Sequence, residues 1–343
     1  MKAAVQVGFG GLDQLRIMEV PDPRPGVGEV LVRVKATSLN RLDVLQREGP
    51  SLLPNFGVPH IAGMDVVGEI AGLGEGTTSV SVGDRVLVNP ALHCGTCDWC
   101  RRGDDAFCPS TRVVGGNHPG GYAELCVVPA SHLHAIPDTV SFEEAATVPT
   151  IWSTAWQALV IRGDLRPGEW ILVHAAASGV STAAIQLAKR TGARVLATAG
   201  SERKLELARK LGADVAVNNR DGDFVRTARE VTNGRGVDVV FDHVGPALLG
   251  RSLFALTPRG RLVFCGSTTG REASIDLPYA YHFGISLLGV EPYSYTGFAR
   301  MLDFYWAEKF VPVIDSEFPL DDAAQAQARM ESGDALGKIL LRP

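Results

Sequence analysis

Several features are scarce in this 343-residue chain, and each scarcity removes a class of protein. No apolar run approaches the roughly 20 residues needed to cross a bilayer, so an integral membrane protein is not expected. Basic residues are scattered and form no stripe, and the net charge is −5 with a pI of about 5.9. That balance argues against nucleic-acid or anionic-membrane partners. The opening stretch, Met1-Lys-Ala-Ala-Val-Gln-Val-Gly-Phe-Gly10, lacks a long apolar core and soon meets Asp13. No signal peptide is therefore expected, and the cytoplasm is the expected location. Cysteine is scarce too, at six residues, yet four of them crowd into the run Cys94-Gly-Thr-Cys97-Asp-Trp-Cys100-Arg-Arg-Gly-Asp-Asp-Ala-Phe-Cys108.

Two Cys-x-x-Cys steps bring three thiols to one point, and a polar seven-residue loop returns the fourth. Thiolates at this spacing suit one tetrahedral zinc with no open position, a structural site. A disulfide framework would need an oxidising compartment, which nothing supports. Iron–sulfur runs share the two short gaps and the closing Cys108-Pro109, but their last gap is three residues and this one is seven. Zinc on Cys94, Cys97, Cys100 and Cys108, one per chain, is the expectation. Cys126 and Cys265 lie in apolar, strand-like runs and are expected to be buried, inert thiols.

What is abundant is ordinary for a soluble globular protein: 45% hydrophobic and 21% charged residues, at a length that favours two domains. The chain to about residue 150 reads as β-rich. Runs such as Glu29-Val-Leu-Val-Arg-Val-Lys35 and Asp84-Arg-Val-Leu-Val88 are separated by Gly, Pro and Asp turns. After Pro149 the texture alternates. Strands are expected at 170–174, around 194–199, 212–217, 237–242, 260–265 and 285–290, and helices at 180–189, 202–211, 223–232 and 247–256. Alternation of this kind predicts a parallel sheet with helices on both faces. The end, 320–343, reads as a helix and a strand.

The first strand-to-helix turn of that series is His174-Ala-Ala-Ala-Ser-Gly-Val-Ser181. A dinucleotide site needs small residues here, so that the backbone and a helix N-terminus can approach a pyrophosphate. The usual Gly-x-Gly-x-x-Gly becomes Ala176-x-Ser178-Gly179-x-Ser181, with Val180 at the helix start. A turn built only for helix–strand packing is the alternative. NAD sites place an acid about twenty residues on, for the ribose 2′-hydroxyl. That position is Ala199, and Ser201, Arg203 and Lys204 follow, residues able to hold a 2′-phosphate. NADPH is the expected cofactor, with NADH possible if Arg203 and Lys204 are only solvated helix residues.

Together these features resemble the medium-chain dehydrogenase/reductase superfamily, which includes zinc alcohol dehydrogenases and quinone oxidoreductases. The resemblance runs almost end to end. It rests on Pro25-Gly-Val-Gly-Glu-Val-Leu-Val-Arg-Val34, Gly83-Asp-Arg-Val86, the cysteine lobe, Ala175 to Ser181, Asp242-His-Val-Gly245 and Gly337-Lys-Ile-Leu-Leu341. It implies an α/β protein: a GroES-like β-barrel catalytic domain (1–150 and 294–343) plus a Rossmann doubly wound parallel-sheet domain (151–293). It also implies a homodimer or dimer of dimers paired through sheet edges. Main-chain groups near Val244, Gly266 and Val290 would hold the cofactor.

The departures matter as much. Alcohol dehydrogenases of this kind hold a catalytic zinc on Cys, His and Cys. Here Asn40, Met64 and Thr150 stand at those three positions, and none is a good zinc ligand. Ser38-Leu-Asn-Arg-Leu-Asp-Val-Leu-Gln-Arg-Glu-Gly49 instead resembles quinone oxidoreductases and enone reductases, although Leu45 replaces their frequent Tyr and most of them lack the cysteine lobe. Without a metal, an ordinary ketone is a hard substrate, whereas a quinone or enone spreads the incoming charge onto oxygen, where hydrogen-bond donors suffice. Asn40 is expected to donate to, or position, the substrate carbonyl, or else merely to stabilise a turn. Asp43, the other candidate catalytic residue, is expected near the pocket as a structural acceptor more than as an acid. Met64, Thr150 and Trp152 are expected to line the former metal cavity. Leu45 and Tyr281 add to an apolar impression, and nothing marks a CoA or phosphate handle. His60, His93, His118 and His282 are weak proton-donor candidates. Two alternatives stand beside enone or quinone reduction. One is an alcohol dehydrogenase or carbonyl reductase, metal-free or recruiting metal through Asp65 and a nearby His. The other is a cofactor-binding protein without turnover.

Overall fold

A computed structural model describes residues 1–49, 53–291 and 294–343. The chain divides into two compact units, Met1–Thr150 with Pro292–Pro343, and Ile151–Glu291. The second boundary expected from sequence, at 293/294, falls beside Pro292 and Tyr293, which lie outside the described residues.

In the second unit the described residues form a six-stranded parallel sheet. Its order is 215–218, 194–199, 170–173, 237–242, 256–264, 286–289. The chain winds outward in both directions from Trp170–Val173, the strand order of a Rossmann fold, and the order reverses between that strand and Val237–Asp242. Both of those strands are buried at every residue, as strands covered on two faces must be. Leu172, Leu196, Val240 and Leu262 pack with Phe224 in one core. Truncating Leu172 to Ala would cost about 2–5 kcal/mol.

Most expected elements appear within a few residues of their predicted limits. The helix expected at 247–256 does not. A short helix spans Leu249–Ser252, a 3₁₀ turn spans Leu253–Ala255, and a strand already begins at Leu256. Gly250 weakens the helix, and a Cβ there would lie 2.6 Å from the Ser274 carbonyl, so the residue serves close backbone approach.

Among the described residues, the strand pairs of the first unit are antiparallel except for Ile314–Pro319 with Lys338–Arg342. Its long central strand, Glu29–Ser38, pairs with Asp65–Leu73, Leu125–Pro129 and the C-terminal strand Lys338–Arg342. Two registers position the candidate site. Ser38 faces Asp65 on one side and Leu340 on the other. Continuing the second register by two residues sets Lys338 opposite Asn40. No helix among the described residues is long and apolar enough to cross a membrane.

Candidate active site

The cysteine lobe assembles as its spacing requires. The four Sγ atoms lie within 4.8 Å of one another. Cys97 and Cys100 are 3.5 Å apart and Cys94 and Cys100 are 3.9 Å apart, sulfur to sulfur. A tetrahedron with Zn–S bonds of about 2.3 Å has edges of about 3.8 Å. Gly95, at φ +72°, makes the tight turn that lets the Cys97 amide donate to the Cys94 sulfur at 3.4 Å. Packed this closely, the thiols share protons unevenly: burial and neighbouring sulfur push Cys100 up to about 12, while donors from Thr96 and Cys97 bring Cys94 down to about 6. A divalent cation resolves that conflict by favouring all four thiolates.

The three positions that would carry a catalytic metal look different. Asn40 caps the helix Arg41–Glu48 with its backbone: its N–H donates to Asp43 Oδ2 at 2.8 Å. Its side chain bonds to buried neighbours. Asn40 Nδ2 donates to Asp65 Oδ2 at 2.8 Å and to the Ser38 carbonyl at 3.4 Å. Asn40 Oδ1 accepts from Lys338 Nζ at 2.8 Å. Lys338 also donates to the Leu39 carbonyl at 2.7 Å and to Asp65 Oδ2 at 3.0 Å. Asp65, fully buried, receives the Ser38 hydroxyl at 2.5 Å and, on its other oxygen, the Thr150 amide at 2.8 Å. Lys338 and Asp65 thus form a buried ion pair whose charges are closed by neutral donors and acceptors.

One arm of the alternative reading recruited metal through Asp65 and a nearby His. In the structure the Asp65 carboxylate is taken up by Lys338, Asn40, Ser38 and Thr150. Among the described residues only the four cysteines form a converging group of three or more His, Cys, Asp or Glu ligands. Asp43 is buried and accepts from Asn40 N, from Tyr122 Oη at 3.1 Å and from Gly63 N at 3.4 Å. Burial pushes its carboxyl up to about 6 against those bonds. Met64 is buried and Thr150 half-buried in the same unit. Trp152 is buried in the second unit, on the helix Pro149–Trp156. Leu45 and Tyr281 are exposed. His60 and His118 are held by the carbonyls of Gly115 and Pro119, and burial lowers the pKa of both. His282 is exposed, and His93 lies 3.6 Å from Asp105.

In the second unit the predicted turn follows Trp170–Val173 and opens the helix Gly179–Arg190. Ala175 takes φ +46°, a left-handed conformation that Gly adopts without a Cβ penalty. Ser178 caps the helix by accepting from Ser181 N at 3.3 Å. Among the described residues nothing accepts from the Gly179 and Val180 N–H groups, which leaves them for an anion. Ser181 is fully buried; its hydroxyl donates to the His174 carbonyl at 2.7 Å and meets His243 Nε2 at 2.8 Å, which ties the turn together. Ala176 and Ala199 are likewise buried and shape the turn. Sequence reasoning missed His243, which also meets Ser178 Oγ at 3.1 Å; its place in Asp242-His-Val-Gly245 was the available signal. Burial lowers His243 to about 4 and His174 to about 3, so both are neutral imidazoles. Val244, Gly266 and Val290 lie just beyond the C-terminal ends of adjacent strands, the edge where dinucleotides bind.

Ser201 opens the helix Glu202–Lys210 without capping it through its hydroxyl. Arg203 is exposed and Lys204 half-buried beside it. Sequence reasoning missed Arg220, whose Nε would lie 3.2 Å from a Cβ on Gly200. Its guanidinium therefore rests against the end of the 194–199 strand. Cys265 is half-buried, not buried, because the strand ends at Phe264, though its thiol is pushed up to about 12. Cys126 is buried as expected.

Fold and site define a nicotinamide-dependent oxidoreductase with a four-cysteine lobe that fits a structural zinc. Residues 26–138 match the alcohol dehydrogenase GroES-like domain, and 179–307 match the zinc-binding dehydrogenase domain. The chain is 32% identical to an acryloyl-coenzyme A reductase of Metallosphaera sedula, over 99% of both chains. It is also 32% identical to an alcohol dehydrogenase of Geobacillus stearothermophilus, over 100% of this chain and 99% of the other. A crystal structure of an NAD-dependent alcohol dehydrogenase superposes with a TM-score of 0.96 at 39% identity, over the whole of both chains. The chain belongs to the medium-chain dehydrogenase/reductase superfamily and is an NAD(P)H-dependent oxidoreductase.

Proposed function

We propose that this protein is an NADPH-dependent reductase of the activated C=C bond of an enone or quinone, working without a catalytic metal. One observation carries the reading: the three catalytic-ligand positions hold Asn40, Met64 and Thr150, and the first is tied into a buried Lys338–Asp65 ion pair. The bound nicotinamide supplies the hydride. The chain's part is to orient the substrate and to hold negative charge collecting on its oxygen, which amide donors do well in a dry site. The Metallosphaera relative supports this class, since an acryloyl group is a conjugated C=C–C=O.

NADPH is favoured by Ser201, Arg203 and Arg220 around Gly200, with no acid at Ala199. A mycobacterial neighbour solved with NADPH, 29% identical with a TM-score of 0.85, agrees. We assign a homodimer to the exposed edge strand Ser286–Gly289, where Leu287 is solvent-facing. An unpaired edge of this kind readily adds a second copy. Carbonyl reduction is the second reading, favoured by the alcohol dehydrogenases among the relatives. Incubation with NADPH and 2-cyclohexenone separates the two. Saturated ketone is expected, and allylic alcohol would show that the carbonyl itself is reduced.

A further inference from the structure

The geometry points to Lys338 as a positioning residue that, from the C-terminal strand, aims and polarises the Asn40 amide at the substrate oxygen. This rests on the reduction of a conjugated carbonyl proposed above.

An ammonium donates three hydrogen bonds and accepts none. Lys338 is 3% exposed, and its three go to Leu39 O, Asn40 Oδ1 and Asp65 Oδ2. The amide orientation of Asn40 follows. Flipped, it would set its NH₂ against the ammonium and its carbonyl against the Asp65 carboxylate. In the orientation present, one Nδ2 proton is held by Asp65 at 2.8 Å and the other only by the Ser38 carbonyl at 3.4 Å. The second bond is long for N–H···O. The other donor bonds of the cluster, from Ser38 Oγ, Thr150 N and Lys338 Nζ, are 3.0 Å or shorter. The loosely held Nδ2 proton is therefore the one a substrate oxygen takes without breaking a good bond.

The ammonium on Oδ1 also strengthens that donor. Hydrogen bonds in series polarise one another, more so at low dielectric. Asp65 keeps the cluster neutral while the substrate is neutral. When hydride from a bound reduced nicotinamide adds to the β-carbon, the π pair of the C=C would shift toward the carbonyl and an enolate oxygen would form; the amide proton would hydrogen-bond to that oxygen, and solvent would protonate the α-carbon to give the saturated ketone and oxidised cofactor. Strand register makes the arrangement rigid, because Lys338 reaches Asn40 through the pairing of Leu340 with Ser38.

Lys338→Met alone strands the Asp65 charge, so the informative variant is the neutral pair Asp65→Asn/Lys338→Met. The readouts are the carbonyl stretch of bound 2-cyclohexenone in the oxidised-cofactor complex, kcat, KM and the cofactor Kd. In the native protein the stretch moves to lower frequency than in solution. Asn40→Ala abolishes that shift. The neutral pair reduces it and lowers kcat about tenfold or more, equivalent to about 1.4 kcal/mol, with cofactor Kd unchanged. The triple variant is no worse than Asn40→Ala, because Lys338 acts through Asn40. A folded neutral pair with native shift and kcat, or strictly additive losses in the triple variant, would overturn the proposal. If the native protein makes allylic alcohol while the stretch still answers to both variants, the enone reading falls and the role of Lys338 stands.

Discussion

The cysteine lobe and the Asn40–Asp65–Lys338 cluster lie in one unit and stand where the superfamily's zinc dehydrogenases hold metal, yet they handle charge in opposite ways. The lobe gathers four like groups within 4.8 Å, from exposed to buried, an arrangement that fits a cation. The cluster is buried and closed, its one cation a lysine and its one anion an aspartate. One site presents a set of metal ligands, and the other has Asn40, Met64 and Thr150 at the ligand positions and its charges paired internally. Four clustered thiols call for a cation from outside, whereas a cluster that holds its own cation and anion does not.

The comparison can be broken most forcefully at the lobe. Cys97→Ser is expected to lower zinc from one per chain toward none and to open the 94–108 loop; structural zinc sites in small peptides are worth about 10–16 kcal/mol. Metal analysis with limited proteolysis of that loop would check it, and a protein with full zinc and an intact loop would sink the assignment. Next comes Lys338→Met, expected to cost about 3–5 kcal/mol because it leaves Asp65 buried and unpaired, with most of that loss recovered by adding Asp65→Asn. Urea midpoints of the two variants decide it.

A third prediction concerns Asp43. Its folded pKa of about 6 lies above the unfolded value of about 3.9, so between those limits the folded state holds a proton that the unfolded chain has released. Stability is therefore present below about pH 4 and lost as pH rises through about 6, by up to about 3 kcal/mol. Asp43→Asn should remove that slope. His174 works in the opposite direction: burial lowers its pKa to about 3, so its contribution is lost as pH falls below about 6.5. The smallest expected effect is Ala175→Gly. Relief of the left-handed φ of +46° gains about 1–2 kcal/mol, and the freer unfolded chain offsets part of it. A loss of stability there would remove the strain argument.

The same contrast explains what the sequence disclosed. The lobe was legible because its ligands lie within fifteen positions, and spacing alone brings them together. The alternating elements after Pro149 were legible because each strand or helix writes its own short pattern. The absence of good metal ligands could be read at Asn40, Met64 and Thr150, but not what surrounds Asn40. The cluster joins residues 38–40, 65, 150 and 338, and strand register brings 38–40, 65 and 338 together. Asn40 was accordingly read without its partners, and Lys338 only as part of a C-terminal resemblance. Arg220 escaped for the same reason: it reaches Gly200 from beyond the next helix and strand.

The most direct measurement is the zinc content of active protein, taken together with its turnover of 2-cyclohexenone before and after graded chelation. The account predicts one zinc per chain and saturated-ketone formation that persists for as long as the protein stays folded. Two zinc ions per chain, with activity lost in step with the more weakly held one, would contradict it.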